Sequence, residues 1–293
     1  MEDYYWDNQL EYLKRTRDLN YNDDYLAFLV NNVWKLSKPV SIIDFGCGYG
    51  YLGLKLLPLL PAGSKYTGID KGQLLINKAK DFFLNLPYET EFIVADTSEM
   101  EIESKYDVAI CHAFILHMSE PKRMLQKMVD AVVKEGRIIC FEPHWISNMS
   151  SYYLQDHEQS HILQLGILQK LFEEDANRNG KDGNIGIKIP IYLNEIGVKN
   201  IECRISDKVN FLHPNMNYID KQNLYNSLKE EGLGREPSPR EEFIRNIINR
   251  GVPFKEAEEQ FEAELLFSQV FTMNSSLIYA PSMKITFGEI KKF

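Results

Sequence analysis

Residues 42–53, Ile42-Ile43-Asp44-Phe45-Gly46-Cys47-Gly48-Tyr49-Gly50-Tyr51-Leu52-Gly53, decide the fold. A β-branched run enters the segment, four glycines interrupt it, and an apolar helical pattern leaves it. That is a strand turning through a glycine loop into a helix. Glycines collect at such a turn because backbone N–H groups meet a ligand closely only where side chains are absent. Two registers fit: GxGxG over Gly46, Gly48 and Gly50, or the dinucleotide pattern GxGxxG over Gly48, Gly50 and Gly53. Asp44 separates them. A carboxylate two residues before the first glycine repels a pyrophosphate and favours a ligand that carries an ammonium group, so the first register is preferred.

Outward from the loop, residues 40–143 alternate β-branched runs with helical patterns, the pattern of an α/β fold with a parallel sheet wound by helices. Strands are expected at SIIDF (41–45), KYTGID (65–70), EFIVAD (91–96), YDVAICH (106–112) and GRIICFEP (136–143). Helices are expected at 51–60, 73–84 and 121–133, the last opening on Pro121. Upstream, Asn22 and Asp23 are placed to cap an amphipathic helix carrying Leu26, Leu29 and Trp34. Downstream, VKNIECRISD (198–207) and a strand near 283–287 would extend the sheet. Two polar, charge-rich segments, at about 146–182 and 215–274, read as helical insertions forming a lid, and residues 1–38 as an N-terminal helical cap.

The net charge of −9 works against a nucleic-acid backbone as the main partner, and no apolar run is long enough to span a bilayer. The start MEDYYWDNQLEYLKR has no apolar signal core, and Cys47, Cys111, Cys140 and Cys203 are widely spaced with no CxxC pair. Both point to a cytoplasmic protein without structural zinc.

DFGCGYG, GID, VADT and CHAFILHM, in that order within residues 20–145, resemble the motifs of class I S-adenosylmethionine-dependent methyltransferases. Within them the chain is similar to the small-molecule branch that includes ubiquinone and menaquinone methyltransferases. The resemblance implies a Rossmann-like, three-layer, doubly wound methyltransferase domain over 39–293, with a seven-stranded, mostly parallel sheet and an antiparallel last strand. It implies S-adenosyl-L-methionine as cofactor and methyl transfer to a small-molecule acceptor by in-line displacement. The alternatives are a cofactor-binding module without turnover, or methylation of RNA or protein.

The resemblance sets Gly46, Cys47 and Gly48 against the cofactor's methionine and ribose, with Asp44 near its ammonium. Asp70, ending the second strand, can accept both vicinal ribose hydroxyls. Lys71 and Leu75 follow where an adenine edge packs, Asp96 can accept the exocyclic amine, and the Thr97 backbone addresses a ring nitrogen. From the cap, Tyr4, Tyr5, Trp6 and Tyr21 can close over the cofactor, and Arg17 can grip its carboxylate. His112 and His117 stand near the reacting methyl. Glu142, His144 and Trp145 follow the fifth strand, where open sheets present groups to ligands, and His117, Glu142 and His144 are the catalytic candidates. Tyr152 and Tyr153 could wall an acceptor pocket. The HExxH match at 157–161 is read as coincidence, because no third zinc ligand is signalled nearby.

Overall fold

The computed structural model describes residues 4–103 and 105–291. Its strands are β1 (Ser41–Phe45), β2 (Lys65–Asp70), β3 (Glu89–Val94), β4 (Tyr106–His112), β5 (Val132–Glu142), β6 (Tyr152–Leu154), β7 (Lys199–Ile205), β8 (Asn210–Leu212), β9 (Leu277–Tyr279) and β10 (Lys284–Glu289). Seven of them form one sheet in the order β3-β2-β1-β4-β5-β10-β7. β1 to β5 are parallel, and β10 enters antiparallel to both β5 and β7. The expected seven-stranded, mostly parallel sheet with an antiparallel last strand is therefore present. The order reverses at β1, so the cleft beyond the carboxyl ends of β1 and β4 is where such a sheet receives a ligand.

Alternate residues of β1 feed two cores. Ile42 packs with Leu52, Ile76 and Phe83 of the helices Tyr51–Leu56 and Gln73–Phe83, whereas Ile43 and Phe45 pack with Leu125, Met128 and Leu193 of the helices Pro121–Asp130 and Ile189–Glu195. A sheet buried on both faces accounts for strands that read as continuous apolar runs. The N-terminal helices join the first core through Leu13, Leu26, Leu29 and Trp34. Trp34 sets its ring edge-on to Phe141 and Phe287, and a fully buried apolar side chain contributes about 1.5–3 kcal/mol.

Several boundaries differ from expectation. The 121–133 pattern stops as helix at Asp130, because β-branched Val132 is recruited to pair with Tyr106 in β4. The 51–60 helix narrows to a 3-10 turn over Leu57–Leu59, where Pro58 has no N–H to donate. Asn22 occupies the N-cap position of the Asp23–Phe28 helix but does not cap it. Its backbone N–H and Nδ2 donate instead to the Asp207 carboxylate, at 3.1 and 2.8 Å.

The first insertion is not purely helical, since it contains β6, whereas the elements within 215–274 are all helices flanked by β8 and β9. β6 and β8 flank β9 in a three-stranded antiparallel sheet that no alternation in the sequence announces, since each strand is three residues long. Helices Leu165–Asn179 and Phe254–Val270 pack together, tied by Lys170 to Glu256 at 2.7 Å, and Arg250 reaches Asp175 with two hydrogen bonds at 2.7 and 3.2 Å. Tyr152 stacks on Phe267 with centroids 5.1 Å apart and Tyr153 is exposed, and neither lines the cavity at the carboxyl edge of the sheet. The HExxH segment does not form one helix: His157 and Glu158 precede the Gln159–Ile162 helix, and no cluster of metal-ligating side chains exists among the described residues.

Candidate cofactor and acceptor site

A cavity of about 430 Å³ opens at the carboxyl ends of β1, β2 and β4, within the range of small-molecule sites. The glycine loop forms its floor. Gly46 has φ +68°, and a Cβ there would fall 2.2 Å from the Phe114 ring. Gly50, at φ +84°, precedes the Tyr51–Leu56 helix, and a Cβ there would stand 2.8 Å from Phe83. Only glycine satisfies both the sign of φ and the close approach.

Asp44, Asp70 and Asp96 all line this cavity. Asp44 is 1% exposed; its Oδ2 accepts the Tyr66 hydroxyl at 2.6 Å, while its Oδ1 is buried with no partner. Burial pushes its carboxyl from 3.8 up to about 8, against the opposing pull of Tyr66. The Asp70 carboxylate accepts N–H from Gly48 and Gly72, each at 2.8 Å, stapling the glycine loop to the end of β2. Two bonds leave lone pairs on both oxygens for further donors. Burial raises its pKa nonetheless. Asp96 lies beyond the end of β3, which stops at Val94. It is held by Lys71 at 2.8 Å and by the backbone N–H and hydroxyl of Ser98, and these bonds lower its pKa to about 2.

Gly46, Cys47, Gly48, Lys71, Leu75, Thr97, His112 and His117 line the cavity, as do Tyr4, Trp6 and Arg17 from the N-terminal segment. Tyr21 does not. It lies behind His112 and shares a 3.1 Å hydrogen bond with its Nε2, so any influence on a ligand passes through that ring. Burial lowers the pKa of His112 well below the imidazole range and that of His117 to about 4, leaving both rings neutral at pH 7.

Two catalytic candidates lie elsewhere. Glu142 is fully buried, and its carboxylate accepts the N–H groups of Phe114 (2.9 Å), Ile115 (2.8 Å) and Leu116 (3.3 Å). It caps the turn after β4 from within the protein and faces neither cavity. His144 bonds Ser147 through Nδ1 at 2.8 Å and lines neither. Trp145, beside them, does line a second, smaller chamber.

The residue that sequence reasoning missed is Asp7. Its Oδ1 accepts the N–H groups of Leu74 (2.9 Å) and Leu75 (3.1 Å), capping the Gln73–Phe83 helix from a distant segment and latching Tyr4 and Trp6 over the cavity. No local pattern marks a cap supplied across 67 residues. Asp7→Ala is expected to cost about 1 kcal/mol, the usual worth of a cap, and to speed amide hydrogen exchange at Leu74 and Leu75. Unchanged exchange there would rule out the latch.

A family model for the methyltransferase domain matches residues 36–232, and the chain belongs to that family, within the class I S-adenosylmethionine-dependent group. Among similar proteins, the malonyl-[acyl-carrier protein] O-methyltransferase of Anoxybacillus flavithermus is 30% identical over 101 residues, covering 34% of this chain and 38% of that protein. The ubiquinone biosynthesis O-methyltransferase of Rickettsia akari is 29% identical over 104 residues, covering 36% and 40%. The match thus spans about two-fifths of these relatives' length. A crystal structure of a SAM-dependent methyltransferase from Geobacter sulfurreducens, in complex with S-adenosyl-L-homocysteine, covers 99% of this chain and all of its own, with TM-score 0.51 and 15% identity. The [4+2]-cyclase SpnF superposes at TM-score 0.50 and 14% identity, covering 98% and 95%. Likeness at that level shows the fold, not the reaction. No helix among the described residues is long and apolar enough to cross a membrane.

Proposed function

We propose that the chain binds S-adenosylmethionine in the larger cavity and transfers its methyl group to a small-molecule acceptor. One observation carries the reading. The cavity holds a buried carboxyl oxygen without a partner, Asp44 Oδ1, and a guanidinium, Arg17, for which no ion pair is seen among the described residues. A zwitterionic amino-acid group satisfies both at once, ammonium to Asp44 and carboxylate to Arg17. A dinucleotide satisfies neither, because its pyrophosphate would meet the carboxyl.

Asp70 is set to accept ribose hydroxyls with its remaining lone pairs, and Leu75, Asp96 and Thr97 to bound the base. Bound S-adenosylmethionine supplies a methyl group on a positively charged sulfur, open to in-line displacement. The residues' task is then to position the partners and exclude water. Neutral His112 and His117 suit this, since neither sets a like charge against the sulfonium. The N-terminal segment and the insertions act as the lid over the cleft.

Isothermal titration with S-adenosylmethionine, beside a parallel titration with NAD, tests the reading: binding of the first and not the second is expected, and the reverse sinks it. Asp70→Ala should weaken cofactor binding by about 1–2 kcal/mol through unpaired hydroxyls and a released Gly48. Wild-type affinity in that variant would remove Asp70 from the site.

A further inference from the structure

Behind the cofactor cavity lies a chamber of about 50 Å³. Trp6, Arg17, Ala113 and His117 line both spaces and so stand between them. Ala113 holds a positive φ of 47° there, with its N–H donated to Phe141 O at 2.8 Å. Backbone strain of this kind persists where surrounding structure enforces it.

The far wall is rich in hydrogen-bond acceptors. Asn20 is 5% exposed; its Nδ2 donates to Thr16 O at 3.1 Å, and its Oδ1 is buried with no partner. Glu231, at the end of the Tyr218–Glu231 helix of the second insertion, accepts the Tyr279 hydroxyl on Oε1 at 3.2 Å. No donor to its Oε2 is seen among the described residues. The rings of Trp6, Tyr12 and Trp145 complete the lining, with Trp6 and Tyr12 centroids 6.3 Å apart.

We propose that this chamber receives the amino group of an alkylamine acceptor, held by N–H donation to Asn20 Oδ1 and Glu231 between the aromatic rings. The inference rests on the methyl-transfer reading and names its acceptor class. Acceptor oxygens on two sides call for a head with several N–H donors, and aromatic faces favour a cation. A hydroxyl brings one donor and leaves one oxygen unpaired. A phenolic ring is too large, since a cavity of about 150 Å³ is what accommodates benzene. Arg17 also faces the chamber, but its charge is neutralised when it pairs with the cofactor carboxylate.

In the reaction, the ammonium first gives up a proton to Glu231, whose carboxyl burial holds at about 7. The freed nitrogen lone pair forms the N–C bond as the carbon–sulfur pair returns to sulfur, leaving a neutral thioether and a methylated ammonium.

Methylammonium chloride is the probe, titrated at constant ionic strength into protein saturated with S-adenosyl-L-homocysteine, whose carboxylate pairs Arg17, against the fluorescence of Trp6 and Trp145, with methanol as the neutral control. A two-heavy-atom ligand at the efficiency ceiling half-saturates on the order of 10 mM. Saturable methylammonium quenching without a methanol response is expected. Glu231→Gln should raise the midpoint at least about tenfold. Asn20→Asp, which adds a second carboxylate at unchanged volume, should lower it, and carries the test if Glu231→Gln melts early. No saturable response, an equal response to methanol, or indifference to both substitutions overturns the proposal and leaves a chamber for water. Cofactor titration on the same protein before saturation separates the two readings: cofactor binding without a methylammonium response sinks only the amine acceptor, whereas loss of cofactor binding sinks methyl transfer.

Discussion

Glu142→Ala is expected to destabilise the protein by about 3–5 kcal/mol, read as a shift of the denaturant midpoint at unchanged slope. Two firm N–H bonds, from Phe114 and Ile115, and a longer one from Leu116 lose their acceptor, the last two in the buried interior, and each buried donor left unpaired costs about 1–3 kcal/mol. Glu142→Gln distinguishes capping from charge. Its amide oxygen can keep the Phe114 and Ile115 bonds, which share Oε1, so only about 1 kcal/mol should go.

The same residue makes stability depend on pH. Burial raises the Glu142 carboxyl from 4.5 to about 7 and that of Asp44 from 3.8 to about 8. A folded-state pKa above the unfolded value means the native state holds more protons in between. The contribution of these groups is therefore full below pH 4 and is lost as pH rises toward 8. The melting temperature should fall across that window, and less steeply in Glu142→Gln. A variant that keeps the wild-type slope would show that Glu142 is not the titrating group.

Asp44→Asn is expected to weaken S-adenosylmethionine binding about 100-fold, the roughly 2–3 kcal/mol of a hydrogen bond between charged partners. The raised carboxyl adds a proton signature. At pH 7 Asp44 is largely protonated in the cofactor-free protein, whereas an ammonium beside its Oδ1 favours the carboxylate. Binding should then release a proton and tighten by up to about tenfold per pH unit between 6 and 8. Titration in two buffers of different ionisation enthalpy measures the release directly. Equal heats in both buffers, together with wild-type affinity in Asp44→Asn, would assign the cofactor's ammonium to another group.

These expectations depend on distinguishing residues that look equivalent along the chain. Asp44 and Glu142 both sit at the end of an apolar strand and are both fully buried, yet one lines the cavity with a free oxygen and the other caps a turn. Tyr21 and Arg17 lie four residues apart in the same cap, and only Arg17 reaches the cavity. Glu231, Asn20 and Asp7 carry no motif at all.

What the sequence determined by itself is the wound sheet, its glycine loop and the run of acids at successive strand ends. Those features follow from local rules: continuous β-branched runs between helical patterns, the need for glycine at positive φ, and the short reach of a side chain from its own strand end. The small β6-β9-β8 sheet, the Asp7 latch and the chamber walled by Asn20 and Glu231 were decided only by tertiary structure. Each joins residues from segments far apart in the chain, and no local periodicity encodes which side chain will meet which across a fold.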